Sequence, residues 1–289
     1  MKKKYGGKIS KICIDGGFGC PNRDGTCGIG GCIYCGERGA GEHIDPTTDI
    51  TAQVQKHLLR DTSSDGFIAY FQNFTNTYAP VDVLKARYDS ALISDRIKVL
   101  AIGTRPDCIT EEIADLLVSY TDRVDVWVEL GLQSASDSVA VAINRGYRTE
   151  VFLEAARILR SRGIPFVVHM IIGLPTEEES DVDKTVDLIN ASGAWGAKIH
   201  SIYVMEGTRL AQMYRSGEYT PPERDYYVRL CARSISRLSP EIIVHRITGD
   251  CPGGLLVAPS WNSDKNLLIN LIRRELEENG MRQGDLYSK

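Results

Sequence analysis

The sequence predicts an α/β fold, built as a partial (β/α)6 barrel with a small C-terminal α+β extension. Six apolar, β-branched runs alternate with longer amphipathic stretches up to about residue 215. This alternation is typical of a parallel sheet, because parallel neighbours need a crossover connection that is usually a helix. A chain of 289 residues, 43% of them hydrophobic, can bury a core of that size.

The predicted strands are, in order, KISKICID, FIAYF, IKVLAIG, VDVWVEL, IPFVVHMIIG and AKIHSIYVM. Helix-start signals lie between them. Pro80 opens one helix, Thr110 with two following glutamates opens another, and Thr176 precedes the acidic start of a helix that runs to Asn190. We therefore assign residues 1–218 to the barrel, with a cysteine-rich loop at 15–38 after the first strand.

The pattern changes after the two prolines at 221–222. Residues 223–238 predict a helix, IIVHRI and GLLVAP predict two short strands, and a final amphipathic helix runs from Asn262 to about Asn279. No internal repeat or long linker precedes this part. Residues 219–289 are therefore expected to form an extension that packs directly on the barrel.

Charge and hydropathy limit the partners. The net charge of -4 gives no overall basic field, which argues against a dedicated DNA-binding protein. Two local basic patches remain, at lysines 2–4 and at Arg229, Arg233 and Arg237. The three arginines share one helical face, and such a face is more often merely solvated than part of a binding site. No window approaches the roughly 18–20 apolar residues of a membrane span, and no signal-peptide pattern is present. The sequence therefore predicts a cytoplasmic protein without membrane contact.

Polar side chains collect at the carboxyl ends of the predicted strands, where parallel α/β folds place functional groups. Period-two alternation puts Lys198 and His200 on one strand face, and likewise Trp127 and Glu129. Each residue alone could be part of a buried ion pair or a satisfied core histidine. Together they predict a shared cavity, to which we assign Gln72, Asn73, Arg105, Glu129, Gln133, His169, Gly173, Lys198 and His200.

Four of the eight cysteines fall within residues 20–35, and such crowding without a secretion signal indicates metal binding. Cys20, Cys32 and Cys35 form a C-x11-C-x2-C pattern that suits a [4Fe-4S] cluster with one iron left open. With Cys27 added, the same loop could instead form a closed tetrahedral zinc site. The position after the first strand and the aromatic Tyr34 favour the cluster. The dispersed cysteines are expected to be ordinary thiols.

The chain resembles the radical S-adenosylmethionine (SAM) superfamily, and within it the bacterial YhcC/YtqA-type group, whose core is similar to the catalytic subunit of Elongator. The resemblance runs through nearly the whole chain. It rests on DGGFGCPNRDGTCGIGGCIYC (15–35), YFQNFTNTYAP (70–80), GTRPDC (103–108), ELGLQS (129–134), INRGY (143–147), HMIIGLP (169–175), KIH (198–200) and HRITGD (245–250).

The resemblance implies a [4Fe-4S] cluster on Cys20, Cys32 and Cys35, with Tyr34 beside SAM and Cys27 as a spare thiol. It implies that an electron from flavodoxin or ferredoxin starts SAM cleavage, and that the resulting 5'-deoxyadenosyl radical abstracts a substrate hydrogen. The implied SAM-binding groups are Gln72, Asn73, Glu129, Gln133 and Arg145, with the backbone near Gly173 and Val204 at the adenine. A guanidinium such as that of Arg145 suits a carboxylate.

Some members of this family, the MnmL-type enzymes, are associated with tRNA wobble-uridine modification, converting 5-carboxymethylaminomethyl-2-thiouridine to the 5-aminomethyl form. The resemblance therefore implies tRNA as a partner, with the carboxylate bound by Arg105, Lys198, His200 or Arg246, and with His169 as a further catalytic candidate. A small metabolite as substrate is the alternative. A zinc-stabilised RNA-binding module is less favoured, and so is acetyl-CoA-dependent chemistry, because the chain is too short for an added acetyltransferase domain. The oligomeric state is left open.

Overall fold

The structure is a computed structural model that describes residues 2–39, 41, 44, 49–251 and 253–288. The strands are β1 (Ile9–Ile14), β2 (Gly66–Phe71), β3 (Ile97–Thr104), β4 (Asp125–Gln133), β5 (Phe166–Ile172), β6 (Gly196–Ser201), β7 (Val204–Met205), β8 (Ile243–Arg246) and β9 (Leu256–Ala258). Seven of them form one parallel sheet in the order β1-β2-β3-β4-β5-β6-β8, which curls into a half-barrel with β1 and β8 as its edges. In the part of the chain that is described, no helix combines the length and apolarity needed to cross a membrane.

Helices cover the outer face of the half-barrel. Short 3-10 turns at Pro106–Cys108 and Ser260–Ser263 supplement them. The α-helices are α1 (Lys2–Tyr5), α2 (Ile50–Arg60), α3 (Val81–Asp89), α4 (Glu111–Val118), α5 (Asp137–Ala142), α6 (Thr149–Ser161), α7 (Glu179–Ser192), α8 (Arg209–Ser216), α9 (Arg224–Arg237) and α10 (Lys265–Glu278).

Strand side chains alternate between two buried layers, as expected when both faces of a parallel sheet are covered. Outward residues such as Ile12, Phe71 and Leu100 belong to the main core with the helices. Inward residues such as Tyr70 and Trp127 belong to a smaller cluster inside the half-barrel. Part of the inner face of the half-barrel is therefore apolar, and polar side chains follow nearer the carboxyl ends of the same strands.

All six predicted strands are present, but the C-terminal part differs from the prediction. The sixth predicted strand ends at Ser201, and its continuation β7 pairs in antiparallel fashion with β9. β8 lies beyond residue 218 but pairs in parallel with β6, so the extension contributes a seventh strand to the barrel sheet. The physical reason is the open edge of β6, whose unpaired backbone groups an added strand can satisfy.

The predicted helix starts agree with the structure in two of three cases. The Thr110 side chain accepts a hydrogen bond from the Ile113 backbone N–H at 3.2 Å, and Pro80 directly precedes α3. The third helix, α7, begins later than predicted. Thr176 adopts a positive φ of 63°, and a capping box between Glu178 and Asp181 starts the helix instead.

The predicted basic patches are not free cationic surfaces. Lys4 forms an ion pair with Asp125 at 2.6 Å, and the side chains of Lys2 and Lys3 lie outside the described residues. The basic face of α9 forms a ladder of ion pairs with the acidic face of α7. The pairs are Arg229 with Glu179, Arg233 with Asp183, and Arg237 with Asp187. Each exposed pair stabilises little, but the ladder neutralises the surface that had been a candidate for RNA.

A candidate cofactor and substrate cavity

A cavity of about 560 Å³ opens at the carboxyl ends of the parallel strands. The cysteine loop forms one part of its wall, and strands from both sides of the half-barrel form the rest. It brings together most of the predicted site residues, namely Cys20, Cys32, Tyr34, Cys35, Gln72, Arg105, Glu129, Gln133, Arg145, His169, Lys198, His200 and Arg246. Of the nine residues assigned to a shared cavity from the sequence, seven line it, and Asn73 and Gly173 do not.

Local hydrogen bonds fold the cysteine loop so that three thiols line the cavity. The backbone N–H of Cys35 donates to the Cys32 carbonyl at 3.0 Å, which closes a tight turn between the two. The Arg23 guanidinium donates to the carbonyls of Cys35 and Gly36 at 3.3 and 2.5 Å. Gly31 has a φ of 77°, and a Cβ there would lie 2.9 Å from Arg23 Nε, so the loop needs glycine at this point.

The segment INRGY (143–147) is hydrogen-bonded to the cysteine loop. The Asn144 amide donates to the carbonyls of Ile29 and Gly31 at 3.1 and 2.7 Å. In return, the Asn22 amide donates to the Asn144 carbonyl at 2.6 Å. These contacts hold the cysteine loop against the end of α5, so this part of the motif positions the loop.

The electrostatics around Cys32 favour a metal-binding thiolate. The Cys35 thiol donates to Cys32, and this hydrogen bond lowers the pKa of Cys32 to about 6 against the opposing effect of burial. The nearby Arg105 charge acts in the same direction. The same hydrogen bond, with burial, raises the pKa of Cys35, so the pair favours one thiolate. Thiolate is the form of cysteine that ligates iron.

Cys27 is separated from the other three loop cysteines. It is exposed and does not line the cavity, and its thiol donates to Asp107 at 3.6 Å. A structural zinc site requires four ligands at about 2.0–2.3 Å from one ion, with thiolates at the longer end. Among the described residues, no group of three or more cysteine, histidine or acidic side chains is close enough to hold one metal ion as placed. The argument against the four-cysteine zinc alternative is therefore that Cys27 lies outside the cavity that the other three cysteines line.

The rest of the cavity suits a polar ligand with an apolar part, as SAM is. Gln133 Oε1 and His200 Nε2 are buried and have no hydrogen-bond partner among the described residues. Gln133 also has a φ of 66°, an uncommon conformation that is found where a side chain must be aimed. Ile171 and Ile202 supply apolar wall beside them. Buried polar atoms of this kind usually have partners, so these two fit a bound group.

Glu129 is the centre of a buried network. Its Oε2 atom accepts hydrogen bonds from Tyr70 at 2.7 Å, from His169 Nε2 at 2.7 Å and from Lys198. Burial alone would raise the pKa of Glu129, but the His169 hydrogen bond and the Lys198 charge hold it well below its usual range. The other carboxylate oxygen, Oε1, accepts one long hydrogen bond of 3.4 Å from Trp127. Of the two oxygens, Oε1 is therefore the one that can still accept a hydrogen bond from a ligand.

Arg145 does not have the role expected from the resemblance. It is 1% exposed, and its guanidinium donates to the carbonyls of Leu132 and Ser134 at 2.6 Å each and to that of Tyr147 at 3.1 Å. Its remaining nitrogen contacts Thr149 at 3.3 Å. No donor pair is left to bind the SAM carboxylate, so this expectation is wrong. Arg145 instead holds the end of β4, where Gln133 adopts its unusual conformation.

Three further predicted cofactor residues do not line the cavity: Asn73, Gly173 and Val204. Asn73 is buried behind the cysteine loop and donates to Asp15 at 2.7 Å. The Gly173 N–H donates to Glu177 at 2.7 Å, and its carbonyl accepts from Tyr219 at 2.5 Å. Val204 is engaged in the β7–β9 pairing. The backbone contact with adenine expected near Gly173 and Val204 is therefore not supported, because these groups already have protein partners.

The four candidate ligands for a substrate carboxylate differ in availability. Arg105 binds Asp107 with two hydrogen bonds of 2.9 and 2.6 Å, so it is not free to bind a substrate. His200 is neutral at physiological pH, because burial and the neighbouring His169 hold its pKa well below the usual range. Lys198 is paired with Glu129, whereas Arg246 lies 4.0 Å from its nearest acidic group. Arg246 is therefore the most available of the four.

Several cavity residues were missed from the sequence, above all Lys11, Cys13 and Tyr70. Lys11 and Cys13 lie two residues apart on β1 and therefore share a face. The usable signal was a lysine within an otherwise apolar strand. Cys13, expected to be an ordinary thiol, lies at the cavity wall.

We expect Arg145→Met to destabilise the protein by at least about 2 kcal/mol, because the carbonyls of Ser134 and Tyr147 would lose this donor at about 1–3 kcal/mol each. The Leu132 carbonyl also accepts from the Ser134 backbone N–H at 2.9 Å and would keep that bond. Anaerobic urea unfolding of the reconstituted protein would measure the loss of stability. Arg148→Met is the matched control: Arg148 is 75% exposed and, among the described residues, pairs with Asp137 alone, so its loss should cost less than about 1 kcal/mol. Unchanged stability of Arg145→Met with weakened SAM binding would restore the carboxylate-binding role.

Comparison with known proteins gives two family matches. A model described as the Radical SAM superfamily matches residues 17–189, and one described as the Radical SAM C-terminal domain matches residues 194–278. The chain is 37% identical to the uncharacterized protein YtqA of Bacillus subtilis, covering 100% of this chain and 91% of the relative. It is 33% identical to protein YhcC of Escherichia coli K12, over 97% and 91% of the two chains.

Among solved structures, the chain is similar to Elongator protein 3 of the archaeon Methanocaldococcus infernus, whose residues 1–46 were deleted. The TM-score is 0.71 at 20% sequence identity, over 95% of this chain. The matched region spans 64% of that protein's length. This similarity concerns the fold, and it confirms the partial barrel with its C-terminal extension.

Proposed function

The chain belongs to the radical SAM superfamily and is an iron–sulfur, SAM-dependent enzyme; from this premise we propose that it modifies the wobble uridine of tRNA. The proposed reaction converts 5-carboxymethylaminomethyl-2-thiouridine to 5-aminomethyl-2-thiouridine. The observation that carries the proposal is that the three cluster cysteines and several basic strand residues open into one cavity. Such a cavity can hold an anionic substituent beside the place where hydrogen abstraction begins.

Cys20, Cys32 and Cys35 would hold the [4Fe-4S] cluster, and Tyr34, Gln72 and Gln133 would contact SAM. With flavodoxin or ferredoxin as reductant, the bound cluster and SAM supply a 5'-deoxyadenosyl radical. The chain's own contribution is to position these groups and to keep out water. Glu129 contributes through Oε1 and also fixes His169 and Lys198 in the wall.

The surroundings of His169 and Lys198 determine the charge that each side chain presents to the substrate. Burial lowers the pKa of His169, so its imidazole is neutral and donates to Glu129. Lys198 presents a positive charge to the cavity beside the same carboxylate. Removal of the carboxymethyl group would begin with hydrogen abstraction from the methylene between its amine and its carboxylate, and a cation near that carboxylate would orient the methylene. Loss of one further electron to the oxidised cluster would turn the substrate radical into an imine. Hydrolysis of the imine would break the C–N bond and release the 5-aminomethyl product and glyoxylate. Recognition of the anticodon loop would have to use surfaces other than the α9 ladder.

We expect a deletion strain to lose 5-aminomethyl-type wobble nucleosides and to accumulate the 5-carboxymethylaminomethyl form. Mass spectrometry of nucleosides from total tRNA would measure both. Complementation with the parent gene should restore the pattern, while complementation with Cys32→Ala should not. Unchanged nucleosides in the deletion strain would exclude this substrate and favour a small metabolite.

A further inference from the structure

Two ammonium groups meet at one aromatic ring inside the cavity. Lys11 Nζ lies 4.8 Å from the centroid of the Tyr70 ring, and Lys198 Nζ lies 5.0 Å from it. Tyr70 itself is 6% exposed and donates to Glu129. Lys11 is exposed and Lys198 is buried, and the charge of Lys11 disfavours the charged form of Lys198. An anion near both ammonium groups would reduce this repulsion.

A third cation faces the same space from the other edge of the sheet. Arg246 is the last residue of β8, is the register partner of Lys198 and lines the cavity. Its nearest acidic group, Asp250, is already bound by Lys265 at 2.5 Å. Arg246 therefore keeps most of its hydrogen-bonding capacity for a ligand.

The charges around this space do not balance. Within the part of the chain that is described, Lys11, Lys198 and Arg246 line the cavity together with only two carboxylates, those of Glu129 and Asp250. Asp250 is also bound by Lys265, which does not line the cavity. Lys11 has no acidic partner within the described residues. Consistent with this geometry, burial lowers the pKa of Lys198, and the charges of Lys11 and Arg246 act in the same direction while Glu129 opposes them. The site thus carries an excess positive charge that a bound anion would compensate.

We propose that Lys11 and Arg246, with Lys198 between them, form the subsite that binds the carboxylate of the substrate. This rests on the proposed function, in which that carboxylate belongs to the carboxymethylaminomethyl group. His200 adds a neutral polar atom, Nε2, that has no partner among the described residues and lines the same cavity. Because β1 and β8 are the two edges of the sheet, the bound carboxylate would bridge them.

The test compares Lys11→Gln, Arg246→Gln and the double variant with the control Lys8→Gln. Lys8 is an exposed lysine in the segment leading to β1, and within the described residues its ammonium donates to Ser63 alone. The substrate is tRNA from the deletion strain, treated anaerobically with reconstituted enzyme, SAM and dithionite. We expect each single variant to lower kcat/KM about 10- to 100-fold, as for one hydrogen bond to a charged group, and Lys8→Gln to match the parent. Lys11→Arg should recover much of the loss.

A second measurement does not depend on tRNA. Ligand-observed NMR would follow binding of N-methylglycine, which has the same amine, methylene and carboxylate, to the SAM-loaded enzyme. Binding by the parent and its loss in the double variant would support the subsite. If the parent converts no tRNA but binds N-methylglycine in this way, only the proposed substrate fails. If the variants match the parent in tRNA conversion, or if the double variant binds N-methylglycine as the parent does or neither binds it, the carboxylate subsite is wrong.

Discussion

Replacing Cys20, Cys32 or Cys35 by alanine is expected to abolish SAM cleavage, whereas Cys27→Ala keeps it. The three cysteines line the cavity, and the loss of any one leaves a [4Fe-4S] cluster with too few protein ligands. Cys27 is exposed and faces Asp107, so its loss removes only a surface thiol. Formation of 5'-deoxyadenosine after anaerobic reconstitution with iron and sulfide, with dithionite as reductant, would measure the activity.

The same preparations supply the control. Iron and sulfide content and the visible absorption of the cluster should be near those of the parent in Cys27→Ala and greatly reduced in the other three. Bound zinc that requires all four cysteines, together with no SAM cleavage by the parent, would contradict the three-cysteine assignment.

Glu129→Leu is expected to destabilise the protein by about 3–5 kcal/mol, because it leaves the Lys198 charge buried without its partner. The double variant Glu129→Leu/Lys198→Leu should regain most of that stability, since it removes both charges. Neither variant should turn over substrate. The exposed pair of Glu154 and Arg157 provides the control, and Glu154→Leu should cost less than about 1 kcal/mol.

The pH dependence gives an independent check. The pKa of Glu129 is depressed in the folded protein, so its stabilising contribution is present above its ordinary pKa and disappears as the pH falls through the folded value. In Glu129→Leu, Lys198 loses the carboxylate that opposed its pKa depression. The difference in unfolding free energy between the parent and this variant should therefore become smaller as the pH rises toward the ordinary lysine pKa. The reason is that Lys198 releases its proton at a lower pH in the folded variant than in the unfolded chain. If urea unfolding gives the same difference in unfolding free energy at every pH, packing and not charge causes the lower stability of the variant.

The features that could be predicted from the sequence depend on local signals. Strand–helix alternation predicted the six barrel strands, and the crowding of cysteines marked the loop after β1, three of whose thiols line the cavity. Thr110 marked a helix start because a capping hydrogen bond involves only nearby residues. Such features are set within a few residues and need no knowledge of the whole fold.

The features that could not be predicted depend on distant partners. An arginine in a strand-end motif looks the same whether it binds a ligand or buried carbonyls, and only the path of the chain decides that Arg145 meets Leu132 and Ser134. Arg105 is likewise taken by Asp107. The place of β8 in the sheet depends on the open edge of β6, and Lys11 becomes a cavity residue only through the strand register.

The strand order of the sheet has a consequence for how the protein is made. Because the order follows the chain from β1 to β6 and then β8, each strand can join the growing edge as the ribosome releases it. The cysteine loop emerges after the first strand, whereas Arg246 emerges only after α9. The cysteine ligands are therefore synthesised long before β8, the strand that carries Arg246 and completes the wall of the cavity.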